Sequence, residues 1–305
     1  MAQATPQSFW RISVQRILPL VAAQARPQLI GEPLTDFPAE VGAAVAHQPH
    51  SKLVVFPELH LFGDGDPDRQ RTEALQESAE PLDGPRVKEL QELAGDLGIW
   101  LVPGSVCVRG PAGQLFNTLL VLSPQGRLAG YYRKIFPWRP HEPYDPGDRF
   151  APVDLEGIGR IGLDICYDAW FPEVSRQLAW MGAEVILNVV KTTTPDRRQE
   201  LVLAQANAIV NQVFMVSVNC AGPTGQGRSL IVDPEGNTIA EAGGDAPALL
   251  AAELDLAAVE RVRRHGTENV IRPWAQFHAG EAPIGLPIYQ GRIDPATWTP
   301  QGPNS

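Results

Sequence analysis

Cys166 lies in the stretch Ile161-Gly-Leu-Asp-Ile-Cys-Tyr-Asp-Ala-Trp-Phe-Pro-Glu173, where an apolar run gives way to the signals of a helix start. Pro172 followed by Glu173 suits a first helical turn, because Pro has no N–H to lose there and an acid complements the helix dipole. A thiol at such a junction faces a helix N-terminus and backbone N–H groups, both of which favour thiolate and oxyanion. A lone cysteine beside a strand is more often a small core residue. Two further segments shift that balance. Leu53-Val-Val-Phe-Pro-Glu58 is a short apolar strand ending in a carboxylate, and Tyr131-Tyr-Arg-Lys134 brings an ammonium to a strand end just before Phe136-Pro-Trp-Arg-Pro-His-Glu142. Thiol-based hydrolysis needs a base near sulfur and a cation for the oxyanion, and each is offered at the end of an apolar strand.

The three segments together resemble the nitrilase superfamily of carbon–nitrogen hydrolases, whose catalytic set is a Glu, a Lys and a Cys on successive strand ends. The matching residues are Glu58 in Phe-Pro-Glu, Lys134 in Tyr-Arg-Lys and Cys166 in Cys-Tyr-Asp, in the family's order. Asn117-Thr-Leu-Leu-Val121 with Pro124-Gln-Gly126 is similar to the family's hairpin ahead of the Lys strand. Arg228-Ser-Leu-Ile-Val-Asp-Pro-Glu-Gly236 is similar to its late strand-turn signature. The likeness runs from about Ile12 to Leu256. It implies that Cys166 attacks an amide carbonyl and forms a thioester that water then hydrolyses. Glu58 would move the protons, and Lys134 with the backbone N–H of Tyr167 would hold the oxyanion. The segment with Trp138, Pro140, Glu142 and Tyr144 resembles the equivalent loop of aliphatic amidases, in which a second Glu, matched by Glu142, holds the substrate and the Lys. Trp138, Tyr144 and Trp170 would form an aromatic pocket, with His141 at its rim or in solvent. Asp168 and Glu173 read as structural, one a local turn acceptor and the other a helix N-terminal acid within reach of Arg176.

The residues after the nucleophile sort the branches. Nitrilases typically carry Cys-Trp-Glu there, whereas Cys166-Tyr-Asp-Ala-Trp-Phe-Pro-Glu resembles the amidase and carbamoyl-amide branches. Hydrolysis of a small amide is therefore the first expectation. An N-carbamoyl amine or amino acid comes next, then a nitrile, then a non-catalytic ligand-binding protein of the same fold. No metal or organic cofactor is required by this chemistry. Asp64, Asp66 and Asp68 imitate the opening of a calcium loop, but its twelfth position is Leu75 rather than Glu and no Gly follows Asp68. Leu59-His-Leu-Phe-Gly-Asp stands where the family usually has a Thr-Gly-Tyr-like turn.

At 305 residues, 44% hydrophobic and 20% charged, the chain can bury one large core. A net charge of −10 leaves no electrostatic footprint for nucleic acid or an anionic membrane. Three cysteines are too few for a disulfide framework and lack metal spacing, so a reducing cytoplasm is the expected compartment. Cys107 and Cys220 sit in strand-like runs as core filler. The N-terminal run Ile17-Leu-Pro-Leu-Val-Ala-Ala23 does not serve as a signal peptide: it is short and Pro-broken, and cleavage would remove Ile12-Ser-Val-Gln15, which resembles the family's first strand.

These residues must be positioned by alternating strands and helices. Strands are expected at 11–15, 53–56, 100–108, 117–122, 128–133, 159–165, 185–189, 213–219, 228–232 and 248–253. Helices are expected at 38–47, 86–97, 172–181, 198–211 and 256–264. Hairpins mixed with crossovers predict α/β architecture with mixed sheets. The resemblance implies a four-layer α-β-β-α sandwich and a homodimer or higher homo-oligomer. Residues 1–272 read as one hydrolase domain, and 273–305 as a Pro- and Gly-rich tail at a subunit interface.

Overall fold

The computed structural model describes residues 16–63 and 70–294. The chain order is β1 (Ile17–Gln24), α1 (Phe37–His47), β2 (Leu53–Val55), α2 (Arg71–Ser78), α3 (Pro85–Leu97), β3 (Trp100–Val102), β4 (Ser105–Arg109), β5 (Leu115–Leu122) and β6 (Leu128–Arg133). There follow β7 (Pro152–Leu155), β8 (Gly159–Ile165), α4 (Pro172–Trp180), β9 (Val185–Val190), α5 (Arg197–Asn211), β10 (Phe214–Asn219), β11 (Leu230–Val232), β12 (Thr238–Glu241), β13 (Ala248–Asp255) and α6 (Ala257–His265).

The strands build two mixed sheets. The first has seven strands in the order β13-β1-β2-β3-β5-β4, with β6 also on β5, and the second has six in the order β12-β11-β10-β9-β8-β7. Parallel pairs β1–β2–β3 and β8–β9–β10 lie inside, and antiparallel pairs flank them. Period-two alternation assigns the faces. Leu18, Leu20 and Ala22 of β1 and Leu53 and Val55 of β2 enter a core shared with Leu163, Ile165, Leu187, Val189 and Val216 of the second sheet. Val21, Ala23 and Val54 point the other way, into a second core with Phe37 and Val41 of α1 and Leu90 of α3. A third core packs Val174 and Leu178 of α4 and Leu201 and Ala208 of α5 under the second sheet. The layers are therefore helix, sheet, sheet, helix. Strands buried on both faces read as largely apolar runs, which explains why β5 and β9 stood out in the sequence despite Asn117, Thr118 and Asn188.

Several elements differ from expectation. The run at 17–24 is a central strand rather than a mere apolar prelude. The strand expected at 11–15 lies outside the described residues, as do Asp64, Asp66 and Asp68. The strand expected at 100–108 is split at Pro103-Gly104 into β3 and β4. β7, β12 and α2 were not anticipated. β12 is an exposed edge strand, and α2 buries only Ala74 and Leu75, so neither carries a strong apolar period.

Candidate active site

Glu58 is delivered by the end of β2. Phe56 N donates to Val102 O at 2.8 Å, extending the ladder one residue before the chain turns at Pro57. The turn is tight. Leu59 adopts φ 51° and Gly104 φ 82°, and a Cβ on Gly104 would lie 1.9 Å from Pro57 O, so only glycine lets the two backbones pass. Ser105 Oγ accepts from Leu59 N at 3.0 Å and pins the residue after the carboxylate. Glu58 itself is buried. Its Oε1 accepts from Asn117 Nδ2 at 2.8 Å and Lys134 Nζ at 3.0 Å, and its Oε2 from Lys191 N at 2.9 Å.

Lys134 follows β6, with its N–H on Asn117 O at 2.9 Å, and is fully buried. Its ammonium sits between two carboxylates, Glu58 Oε1 at 3.0 Å and Glu142 Oε1 at 2.9 Å. Glu142 is aimed by its own loop: Oε2 accepts from Trp138 N at 2.8 Å, and Glu142 N donates to Trp138 O at 2.9 Å. Burial alone would pull the Lys134 ammonium down. The negative charges around it, Glu58 first and Glu142 with it, outweigh burial and hold the group well above its ordinary value, so Lys134 stays a cation.

Cys166 ends β8 from the second sheet and opens a short 3-10 turn, Cys166–Trp170, ahead of α4. It is half-buried and adopts φ 51°, a left-handed conformation unusual for a side-chain-bearing residue. Burial pushes its thiol well up, Glu58 pushes it further, and Lys134 opposes both. The expectation that the helix start would favour thiolate is therefore corrected: the sulfur rests protonated and needs a base. Cys107 and Cys220 are buried, as expected of core filler, and burial pushes Cys107 up to about 12.

The surrounding residues divide into two groups. Trp138 is exposed and packs at 4.2 Å, centroid to centroid, on exposed His141, which places both at a rim. Tyr167 and Trp170 are half-buried on the nucleophile turn. Tyr167 meets Phe171 edge-on at 5.4 Å, and Phe171 stacks on Phe136 at 3.6 Å. Tyr144 lies in the core beneath the first sheet with its hydroxyl unpartnered, and so is no open wall. Glu173 accepts from Tyr289 OH at 2.7 Å, while Arg176 donates to Val210 O and covers the Trp274 ring. The expected Glu173–Arg176 contact is replaced by these.

Sequence reasoning missed much of the support. Asn117, Asp164 and Asn188 are single polar residues inside buried strands, a pattern that itself signals a required hydrogen bond. Asn188 Nδ2 reaches Asp164 Oδ1 at 2.9 Å, and Ser217 Oγ donates to Asn188 Oδ1 at 3.2 Å. Arg197 and Glu200 form a buried pair at 3.1 Å, and Glu200 also holds the hydroxyl of Thr192, next to the Lys191 N–H that binds Glu58. Among the described residues no cluster of three or more His, Cys, Asp or Glu is arranged for a metal, and no helix is long and apolar enough to cross a membrane.

Residues 8–264 match the family model for carbon-nitrogen hydrolase. The chain is 35% identical over 242 residues to a formamidase of Pseudomonas syringae pv. tomato, covering 76% of this chain and 68% of that protein. It is 36% identical over 219 residues to an (R)-stereoselective amidase of Pseudomonas sp, covering 70% of this chain and 76% of that one. Among solved structures, Saccharomyces cerevisiae Nit3, a member of branch 10 of the nitrilase superfamily, superposes with a TM-score of 0.73 at 26% identity, covering 82% of this chain and 94% of that chain. A mutant of the amidase from Nesterenkonia sp. AN1, showing covalent addition of the acetamide moiety of fluoroacetamide at its active site cysteine, gives 0.68 at 25% identity, covering 82% and 94%.

Proposed function

The chain belongs to the carbon–nitrogen hydrolase family of the nitrilase superfamily, and from that premise we propose an amidase that cleaves a small linear amide to carboxylate and ammonia through Cys166, Glu58, Lys134 and Glu142. One observation carries the assignment of residues: a fully buried ammonium is held between two carboxylates beside a strained, half-buried cysteine.

Each group has a step its surroundings suit. Glu58 Oε1 already accepts two hydrogen bonds and Oε2 only one, so Oε2 keeps a lone pair for the thiol proton. As the proton moves to Oε2, sulfur attacks the carbonyl carbon and the carbonyl oxygen takes up negative charge. Lys134 Nζ and the N–H of Tyr167 receive that oxygen. The tetrahedral adduct collapses to a thioester as Glu58 returns the proton to the departing nitrogen. Glu58 then deprotonates water for attack on the thioester, and the thiol recovers its proton as the acid leaves. Glu142 acts on position, holding Lys134 from the side opposite Glu58.

Residues 1–272 would form the hydrolase domain. The tail from 273 would meet a second subunit in a homodimer or higher homo-oligomer, a reading supported by the exposure of Phe277, Ile284, Leu286 and Ile288. A chain with only three cysteines, too few for a disulfide framework, suits a cytoplasmic setting. That several relatives are named formamidase supports a small acyl group here. Ammonia release from a panel of formamide, longer aliphatic amides, N-carbamoyl amino acids and nitriles tests the reading. Turnover of short amides above the other classes is expected, and turnover confined to nitriles or ureido compounds would displace it.

A further inference from the structure

Lys134 and the Tyr167 N–H have to meet at one oxyanion, yet they come from different sheets. The core between those sheets is built of Leu, Val and Ile contacts, which are non-directional and fix no register to a fraction of an ångström. A polar joint crosses the same seam. Asp168, fully buried two residues beyond the nucleophile, accepts from Phe136 N at 2.8 Å through Oδ1 and from Tyr132 OH at 2.7 Å through Oδ2. Oδ2 also faces Ile165 N at 3.4 Å, and Tyr132 OH accepts from Ile135 N at 3.3 Å. The donors on one side, Tyr132, Ile135 and Phe136, flank Lys134. On the other side the donor Ile165 and the acceptor Asp168 flank Cys166.

We propose that Asp168 and Tyr132 form a positioning pair that sets the register of the Lys134 segment against the Cys166 turn, so that both oxyanion donors converge in the transition state. The inference rests on the oxyanion roles given above to Lys134 and Tyr167. Burial and the charges of Asp168 and Asp164 hold the Tyr132 phenol well above its ordinary value, so it remains a donor. An amide in place of Asp168 cannot serve the joint. Asn offers one oxygen and one NH2, so in either orientation an N–H or O–H faces another donor.

A positioning role and a purely structural one differ in what survives normalisation. Turnover is measured per Cys166 labelled by iodoacetamide, so misfolded protein drops out of the rate. For Asp168→Asn, kcat per labelled site should fall by roughly 30-fold or more while KM stays within about threefold, because the donors act on charge that develops after binding. Tyr132→Phe should lose about 5- to 10-fold, and the double variant should be close to Asp168→Asn alone, since both act through one joint. A native kcat per labelled Cys166 in Asp168→Asn, or a multiplicative double variant, overturns the proposal. Should Asp168→Asn fail to fold, Tyr132→Phe decides alone, and near-native kcat there overturns it. Cys166→Ser is the control: if it still turns over amide, the assignment of the site has failed instead.

Discussion

Glu142→Gln is the most direct test of the buried cation. The carboxylate makes two bonds, Lys134 Nζ at 2.9 Å and Trp138 N at 2.8 Å. A glutamine of the same shape has one acceptor oxygen, so turning it toward Lys134 sets its NH2 against Trp138 N–H, and the reverse sets it against the ammonium. One charge-assisted bond of the carboxylate, to Lys134 or to Trp138 N, is lost in either case, and with it the negative charge beside the buried cation. Such bonds contribute about 1.5–3 kcal/mol, and each ~1.4 kcal/mol of barrier is tenfold in rate, so the upper part of that range predicts a fall of roughly 100-fold. Glu58 still faces Lys134, which remains charged. Glu142 acts on the Cys166 thiol less than Glu58 and Lys134 do, so thiol reactivity should barely move. The expected pattern is a fall in kcat measured by ammonia release, with alkylation by iodoacetamide and the circular dichroism spectrum near native. An unchanged kcat on the best amide would show that Glu142 merely closes its own loop, and loss of alkylation in step with turnover would place it on the nucleophile rather than on the cation.

Cys166→Ser should lose turnover by several orders of magnitude while Cys107→Ser and Cys220→Ser keep most of it, because both of those thiols are buried in the core as apolar filler. Peptide mass spectrometry after brief iodoacetamide treatment should find Cys166 labelled first, and equal labelling of all three would contradict its role. Dialysis against a chelator should leave the rate unchanged, whereas activity lost and restored by zinc would point to metal chemistry. Burial pushes Asp168 up to about 6, above the ordinary carboxylate value. Its contribution to stability is therefore fully present below about pH 4 and is lost as pH rises through about 6, a swing on the order of 2–3 kcal/mol. Urea unfolding of wild type and Asp168→Asn should show the difference moving in the variant's favour over that window and flat above it. A difference independent of pH would mean that the carboxyl is not raised.

The strands were legible in the sequence because most of them are buried on both faces, and Glu58, Lys134 and Cys166 stood out as candidates because each interrupts or ends such a run. β1 was the main loss. Pro19 inside Ile17–Gln24 argues against a sheet interior by local rules. Long-range pairing on both sides overrides them, with Leu18 opposite Leu254 and Leu20 opposite both Ala252 and Leu53. α2 was invisible because Arg71-Thr-Glu-Ala-Leu-Gln-Glu-Ser78 carries only one buried step. At the site, residue types were legible and electrostatics were not. The helix start suggested a thiolate, but the cost of burial and the proximity of Glu58 depend on atoms brought from other strands. Asp168 was read as a turn acceptor, and it does bond Ile165 N, yet its stronger partners lie in the segment around Lys134.

The pairing of β13 with β1 matters for how the chain is made. Glu58, Lys134 and Cys166 have all left the ribosome well before Ala248–Asp255, the strand that registers against Ile17–Gln24 over its whole length. Until then β1 shows one open edge of an apolar strand, and at synthesis rates of about 5–20 residues per second the exposure lasts on the order of ten seconds or more. Such edges recruit other chains. Gln24 ends β1 by bonding Ser229, Gly244 and Ala246, so the residues just ahead of β13 already guide it home. A message cut short before Ala248 would thus encode Glu58, Lys134, Glu142 and Cys166 and still yield an aggregate, because among the described residues β13 is the strand that covers this edge of β1.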